Sequence, residues 1–467
     1  MIEQLQSLMK ALEAGSYNAA PGQLVQGAAL MVEDLSPVMQ NVTFDDSHIK
    51  LQKILPKKDV KSQLHQFNRQ LDYGTFGGSA QFEGGIGEED TSNYVRAVVP
   101  MAYYSTTRRV TVAANMIGAF DGVKAEDRAA ADAAMKLAGD IEFDCFRGQS
   151  DFSNAGVFDG NPLAVAKVPN MIGVDQQVRQ SDAQQNTQDL MFAEFGSNQT
   201  VVLSAGGTLT QSLIEDSSVR SAMNMGAADR LILDPISLSA YNKIAHAKER
   251  IMLAGSAQEA TGAHLRTQWT SSAVVSLEAS RFLSGKTLPA RARAGSPAAP
   301  AAPALADAGA AGSLLQAGTY TYYVTSVSIR GESLPSPSAV ATVAAAGDKV
   351  TATITAAAGA QYYNVYRSDL GGNAAQAKFI GRIAQNAGNP VFTDLGNRQP
   401  GSVTGFLIQG NTLGLAELAP YSKLKLAISD LSLPEAHFRF LSLAAYQPRK
   451  NVLLENITGQ LSLNNNP

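Results

Sequence analysis

FGGSAQFEGGIGEEDTSNYVRAVVPMAYYSTTRRVTVAA, residues Phe76–Ala114, is followed ten residues on by KAEDRAAADAAMKLAGDIEFDCFR, Lys124–Arg147. The first stretch starts as a glycine-rich tip and returns as β-prone residues, which predicts a long two-stranded hairpin within 62–123 with little core of its own. An isolated hairpin is marginal in water, so something outside must hold it. The second stretch puts Ala134, Leu137, Ala138, Ile141 and Cys145 on one helical stripe, at i, i+3, i+4, i+7 and i+11, with charges elsewhere and Gly148 as the stop. Such a helix is roughly 36 Å long at 1.5 Å per residue. A coreless hairpin leading into a long amphipathic helix sets the frame for the rest of the chain.

Downstream, Thr208–Gln211 has capping-box spacing for a helix ending near Gly226, and Ala240–Leu253 carries a further stripe at Tyr241, Ile244, Ala245, Lys248 and Met252. Short apolar runs at Val201–Leu203, Leu231–Leu233 and Val274–Leu277 separate these helices and predict a compact α+β unit. Near the end, Leu424–Ile428, Phe438–Tyr446 and Asn451–Ile457 read as strands that complete this unit after an interruption.

The interruption begins at PARARAGSPAAPAAPALADAGAAG, Pro289–Gly312, where half of the 24 residues are alanine and four are proline. Alanine buries little and proline breaks both ladders, so 289–312 reads as a linker. Beyond it the pattern becomes strict alternation: Tyr320, Tyr322 and Val324 on one face, Tyr323, Thr325 and Val327 on the other, then a turn-rich GESLPSPS. Further alternating runs at Val350–Thr355, Tyr362–Arg367, Phe379–Ile383 and Val391–Thr393 predict an all-β module over 313–403. Through AGTYTYYVTSVSIRGESLPSPS, QYYNVYRSDLGG and VFTDLG this module resembles a fibronectin type III or related immunoglobulin-like domain, although Trp269 lies outside it. Tyr320, Tyr322, Tyr363 and Phe379 would fill its core, with a carbohydrate platform as the other reading of these aromatics.

Composition narrows the function. With 37 Lys plus Arg against 41 Asp plus Glu, the net charge of -4 lacks the basic excess of a groove-reading nucleic-acid binder. A single cysteine, Cys145, excludes an internal disulfide framework and a multi-thiolate zinc site. The amino terminus shows neither a leader pattern nor an apolar span, so a soluble chain is expected, with no membrane partner. Charged residues at 17% leave weakly charged surfaces of the sort that other subunits cover.

The chemical motifs return no catalytic set. His48, His65, His246, His264 and His437 are scattered without metal-ligand spacing, and neither a GxSxG elbow nor a GxxxxGK[ST] loop occurs. Gly84–Gly87 lies in an acidic tip rather than between a strand and a helix, so flexibility explains it better than phosphate binding. The tip residues Glu83, Glu88, Glu89 and Asp90 read as a solvated or partner-facing run rather than glycosidase carboxylates, which need a rigid cleft. Cys145 falls on the apolar stripe and reads as a small buried hydrophobe. No enzyme activity, cofactor or metal is expected. Glu83, Glu88, Glu89 and Asp90, with Arg96, Arg108 and Arg109, are the candidate assembly contacts, the acidic tip meeting a basic patch on a neighbour.

The order of these elements resembles the major capsid protein of tailed double-stranded DNA bacteriophages, the Hong Kong 97-like fold. The resemblance assigns an N-terminal arm to 1–60, an extended loop and peripheral strands to 61–123, and a spine helix to 124–156. An axial domain follows over 157–288, including VFDGNP at Val157–Pro162 and ADRLILDPISLSAYNKI at Ala228–Ile244, and 404–467 returns to the axial and peripheral domains through SDLSLPEAHFRFLSLAAYQPRKNVLLENI. It implies an α+β subunit that assembles with itself into hexamers and pentamers in the host cytoplasm, forming an icosahedral shell that encloses DNA non-specifically. Implied partners are a separate scaffolding protein, a portal protein and, as a further candidate, a cement or decoration protein. Some members of the family crosslink neighbours through a lysine on the extended loop, and from Ser62 to Val123 this chain has no lysine. Two other readings stand beside this one: a phage surface or tail adhesin with an immunoglobulin-like binding module, and a secreted carbohydrate-active enzyme with an accessory module.

Overall fold

The computed structural model describes residues 44–70, 73, 79–87, 89–92, 94–117, 124–148, 171–180, 201–203, 207–246, 266–283, 288–292, 296–309, 313–328, 331–360, 362–371, 377–385, 388–428 and 430–459. The arm before residue 44, Glu88, the start of the axial segment at Val157–Pro162 and the helical stripe beyond His246 lie outside these residues.

In chain order come α1 (Leu51–Ile54), β1 (Lys57–Asp59), β2 (Leu64–Gln70), β3 (Tyr94–Pro100), β4 (Ala102–Thr111), α2 (Val112–Ile117) and α3 (Ala125–Arg147). They are followed by α4 (Val174–Gln180), β5 (Val201–Leu203), α5 (Gln211–Met223), β6 (Arg230–Leu233), α6 (Pro235–His246), β7 (Thr267–Trp269) and β8 (Val274–Ala279). Eight strands then succeed one another: β9 (Ala304–Gly309), β10 (Gly318–Ser328), β11 (Gly331–Glu332), β12 (Ala339–Val343), β13 (Asp348–Thr353), β14 (Tyr362–Arg367), β15 (Lys378–Ala384) and β16 (Val391–Asp394). The last four are β17 (Val403–Ile408), β18 (Leu413–Lys425), β19 (Ser432–Ala445) and β20 (Val452–Ile457). The chain is therefore mixed α+β.

The long helix forms as its stripe predicts. Leu137, Ile141, Cys145 and Phe146 on α3 are buried, and full burial of an Ile or Phe side chain contributes roughly 1.5–3 kcal/mol. These residues meet Leu415, Leu441 and Leu443 of a four-stranded sheet of order β1-β18-β19-β4. Phe146 also reaches Phe406 of β17 at 5.3 Å between ring centroids, so this core continues into a second sheet. Gly148 ends the helix with φ −58°, not in a left-handed cap, and a Cβ there would strike the Met171 carbonyl. Within the helix, Gly139 lets the Phe44 ring approach, since a Cβ would stand 2.5 Å from it.

The second sheet is six-stranded and mixed, in the order β5-β20-β17-β6-β8-β7, with α5 and α6 beside it and a core of its own around Ile214, Leu231, Leu407 and Leu454. The N-cap of α5 is Thr210, whose hydroxyl accepts from the Leu213 N–H at 3.3 Å, rather than Thr208 of the predicted box. α6 starts earlier than its stripe suggested, because Asp234 accepts from the N–H groups of Ile236 and Ser237 and Pro235 suits the first turn. Likewise Leu424–Ile428 is not a separate strand. Leu424 and Lys425 end β18, whose earlier residues contain Gly414 and Pro420 and so read as loop; Pro420 sits in a register shift between Ala419 and Ser422, where a missing N–H is tolerated.

Residues 304–394 form two facing sheets, one of order β11-β10-β14-β15 with β12 on β10, the other of order β16-β13-β9. Tyr320, Tyr322, Val324, Tyr363, Val365 and Ile380 are in the core between them, while Phe379 packs edge-on against Tyr366 on the far face at 5.9 Å. The alanine-rich stretch read as a linker contains β9, which pairs with β13 from Ala304↔Thr353 to Gly309↔Asp348. Small residues suffice there because β9 is an exposed edge strand held by backbone bonds, with Pro303 just before it. The predicted alternation is also modified: Thr325, Asn364 and Tyr366, on the face away from the core, are buried as well. Glu332 accepts there from Thr325 Oγ1 at 2.5 Å, Tyr366 Oη at 2.7 Å and Asn364 Nδ2 at 2.9 Å. Burial pushes the Tyr362 hydroxyl on this same sheet up to about 12.

Candidate assembly surface

Antiparallel pairing of β2 and β3 runs from Leu64↔Pro100 to Gln70↔Tyr94 and produces the predicted hairpin. Its base is anchored. Phe67 meets Tyr446 edge-on at 4.9 Å, Arg69 donates from Nη2 to the Ala445 carbonyl at 2.5 Å, and Ala97 and Val99 pack on Ala444. His65 is buried beside Phe67 and Tyr446, and burial, then the nearby Lys58, holds its imidazole below the ordinary 6.5.

The far end is different. Gly85 N–H donates to the Phe82 carbonyl at 2.8 Å across a turn whose third residue, Gly84, has φ +83°, the conformation a type II turn requires. Around this turn Phe82 is 94% and Ile86 93% exposed, and Glu83, Glu89 and Asp90 are exposed too. Two large apolar side chains and three acids thus share a tip with no basic residue from Leu71 to Val95.

The candidate contacts separate in space along the fold. Glu83, Glu89 and Asp90 are at the tip and Glu88 lies outside the described residues. Arg96 is on β3, its Nε 3.4 Å from Asn68 Oδ1 of the paired strand. Arg108 and Arg109 belong to β4 in the body: Arg108 pairs in register with Glu435, and Arg109 Nη1 contacts Asp430 Oδ2 at 2.9 Å. Sequence reasoning missed Phe82 and Ile86, which are ordinary apolar residues until their exposure is known, and the exposed lysines of the KKDVK run at Lys57–Lys61, a charge signal that was legible.

Cys145 is fully buried, and burial followed by Glu142 and Asp144 pushes its thiol well up, away from the thiolate. No group of His, Cys, Asp and Glu among the described residues could hold a metal ion, and no helix among them is long and apolar enough to cross a membrane. A cleft of about 410 Å³ beside the two-sheet unit is lined by Tyr320, Arg367, Asp369, Lys378, Gln399 and Thr458, with Arg367 held by Asp394 at 2.5 Å.

No protein-family model matches the chain, and no curated protein matches it. Among solved structures, the capsid of a native GTA particle is similar at 12% identity, covering 95% of this chain and 100% of that one, with a TM-score of 0.48. The capsid of cyanophage P-SCSP1u is similar at 9% identity over 95% of this chain and 97% of that one, TM-score 0.47. An encapsulin complex from Synechococcus elongatus PCC 7942 is similar at 9% identity over 92% and 96%, TM-score 0.40. Identities this low and superpositions this loose leave function to be argued from the chain's own residues.

Proposed function

We propose that this chain is a shell-forming capsid subunit of the Hong Kong 97-like type, structural rather than catalytic. The observation that carries the reading is the hairpin. Its base is pinned to the body through Phe67, Arg69 and Tyr446, while its tip exposes Phe82 and Ile86 among acids. Large apolar side chains left exposed at a hairpin tip suit an element completed by a neighbouring copy. The long helix across a four-stranded sheet and the separate six-stranded unit fit the peripheral and axial parts of such a subunit.

In this reading copies associate through heterologous contacts that close as rings of six and five, and the rings tile a shell around packaged DNA in the virion. Assembly takes place in the host cytoplasm with a separate scaffolding protein and a portal, and a decoration protein is a further partner. The inserted two-sheet unit is of the immunoglobulin or fibronectin type. Supporting that assignment, Tyr320 near the start of β10 donates from Oη to the Gln316 carbonyl at 3.1 Å and accepts from the Gln316 N–H at 3.2 Å, a hook of the tyrosine-corner kind. Negative-stain microscopy of the purified chain tests the reading: shells or capsomer rings are expected, and isolated particles of single-chain mass under all assembly conditions would overturn it.

A further inference from the structure

We propose that the cleft at the seam between the inserted unit and the body binds a small zwitterion with apolar side chains, of the size of a dipeptide. The inference goes beyond the assembly reading and does not depend on it. The cleft holds about 410 Å³, within the roughly 300–1,000 Å³ of small-molecule sites, which favour seams between units. Arg367, Asp369, Leu370 and Lys378 line it from the inserted unit, and Gln399 and Thr458 from the chain's return to the body.

Two cations meet there. Arg367 of β14 and Lys378 of β15 stand directly opposite each other in the antiparallel register, where like charges repel. Asp394 answers only the first: its carboxylate meets Arg367 Nη1 at 2.5 Å, and the Arg398 carbonyl accepts from Nη2 at 3.1 Å. Arg367 Nε is left as a buried donor without a partner, and the Lys378 amine has none among the described residues. The lysine stem passes over Gly401, which has φ +77°; a Cβ there would stand 2.5 Å from Lys378 Cδ. An anionic group beside Lys378 would relieve the repulsion between the two cations. Asp369 comes two residues after Arg367, about 7 Å farther along a chain still bonded to β10 through the Ser368 N–H and the Thr321 carbonyl at 2.9 Å. It is exposed and also has no partner among the described residues. Opposite charges that do not pair with one another, spaced in this way, match the carboxylate and the amine of one ligand. A dipeptide spans about 7 Å at roughly 3.3–3.6 Å per residue. Leu314 and Leu370, 56% and 52% exposed, border the same cleft and give its side chains an apolar wall. A bare anion such as phosphate would be repelled by Asp369 and would leave the leucines uncovered.

The test is calorimetric titration of the full chain with leucyl-leucine, for which one saturable site per chain is expected. Masking either end of the ligand, as leucyl-leucinamide or as N-acetyl-leucyl-leucine, should weaken binding about tenfold or more, the loss of one charge-assisted contact. Lys378→Met should weaken leucyl-leucine by a similar factor yet leave the amide's binding unchanged, and Asp369→Asn should do the same for the acetylated form. Both residues are exposed, so neither change threatens the fold, and an unaltered circular-dichroism spectrum checks this. Absence of saturable binding in the millimolar range would overturn the proposal, as would masked ligands that bind as tightly as leucyl-leucine. Inorganic phosphate bound as tightly as leucyl-leucine, with Asp369→Asn without effect on either, would make this a plain anion site and overturn it too.

Discussion

Glu142 shows how one side chain ties distant segments together. Its carboxylate is fully buried and accepts from the backbone N–H groups of Leu51 at 2.7 Å, Lys50 at 3.0 Å and Gln52 at 3.1 Å, with Gln52 Nε2 at 3.2 Å. A carboxylate on the long helix thereby fixes residues 50–52 to it. Glu142→Gln keeps the size but replaces charge-assisted bonds, and we expect a loss of about 1.5–3 kcal/mol in denaturant unfolding, with faster tryptic cleavage at Lys50 and Lys53. His65 makes the hairpin base sensitive to pH. Its pKa is lower folded than unfolded, so the unfolded chain binds the proton more readily; the contribution is present above the unfolded value near 6.5 and is lost as pH falls through the lower folded value. Amide exchange of β2 and β3 should therefore speed up as pH drops from about 7.5 to about 5 once corrected for the intrinsic rate. His65→Phe should flatten that dependence; an unchanged profile would exclude His65 as its origin.

At the level of elements, the inserted unit is clamped rather than tethered. Arg398 Nη2 meets the buried Glu455 of β20 at 2.8 Å, the Gln399 N–H donates to Asn456 Oδ1 at 2.7 Å, and Asn456 Nδ2 donates to the Asn397 carbonyl at 2.7 Å. Contacts therefore cross a boundary that the alanine-proline stretch suggested would be bare. Arg398→Ala leaves a buried carboxylate without its cation and should cost about 1–3 kcal/mol, with Glu455→Gln in the same chain recovering part of it. Replacing 290–401 with a short Gly/Ser linker should still give a folded, assembling body, because the two-sheet unit has its own core. That body should melt lower than the full chain for want of the clamp. Loss of the helical signal after the excision would show instead that the two parts fold as one.

For the whole molecule, a crosslink between copies of the kind the capsid resemblance implies, through a lysine on the extended loop, would need an amine on the hairpin. Residues 62–123 contain Arg69, Arg96, Arg108 and Arg109 but no lysine, and guanidinium groups stay protonated and do not attack amides. Lys61 and Lys124 only flank the segment. Assembled particles boiled in detergent should run as one band near 49.2 kDa, the mass of one chain, and a ladder of multimers would contradict this. In the proposed shell, stability would then come from burial of surfaces such as the Phe82–Ile86 tip.

Local pattern was enough for the helix over 125–147, the hairpin, most strands of the inserted unit and the acidity of the tip, because periodicity, turn glycines and charge act within a few residues. The grouping of the candidate contacts was legible in part: the acids stood in one run, whereas only the fold shows that Arg108 and Arg109 are on β4, the first in register with Glu435 and the second 2.9 Å from Asp430. Tertiary structure alone decided what pairs residues far apart in the chain. It placed Ala102 against Leu441 in one sheet, recruited the alanine-rich β9 as an edge strand and drew Gly414 and Pro420 into β18. It also buried Glu142, His437 and the Arg367–Asp394 pair, none of which local polarity would place inside. Burial is a property of the neighbours that a side chain acquires, and those neighbours are set by strand pairing and layer packing rather than by the residues next to it in the chain.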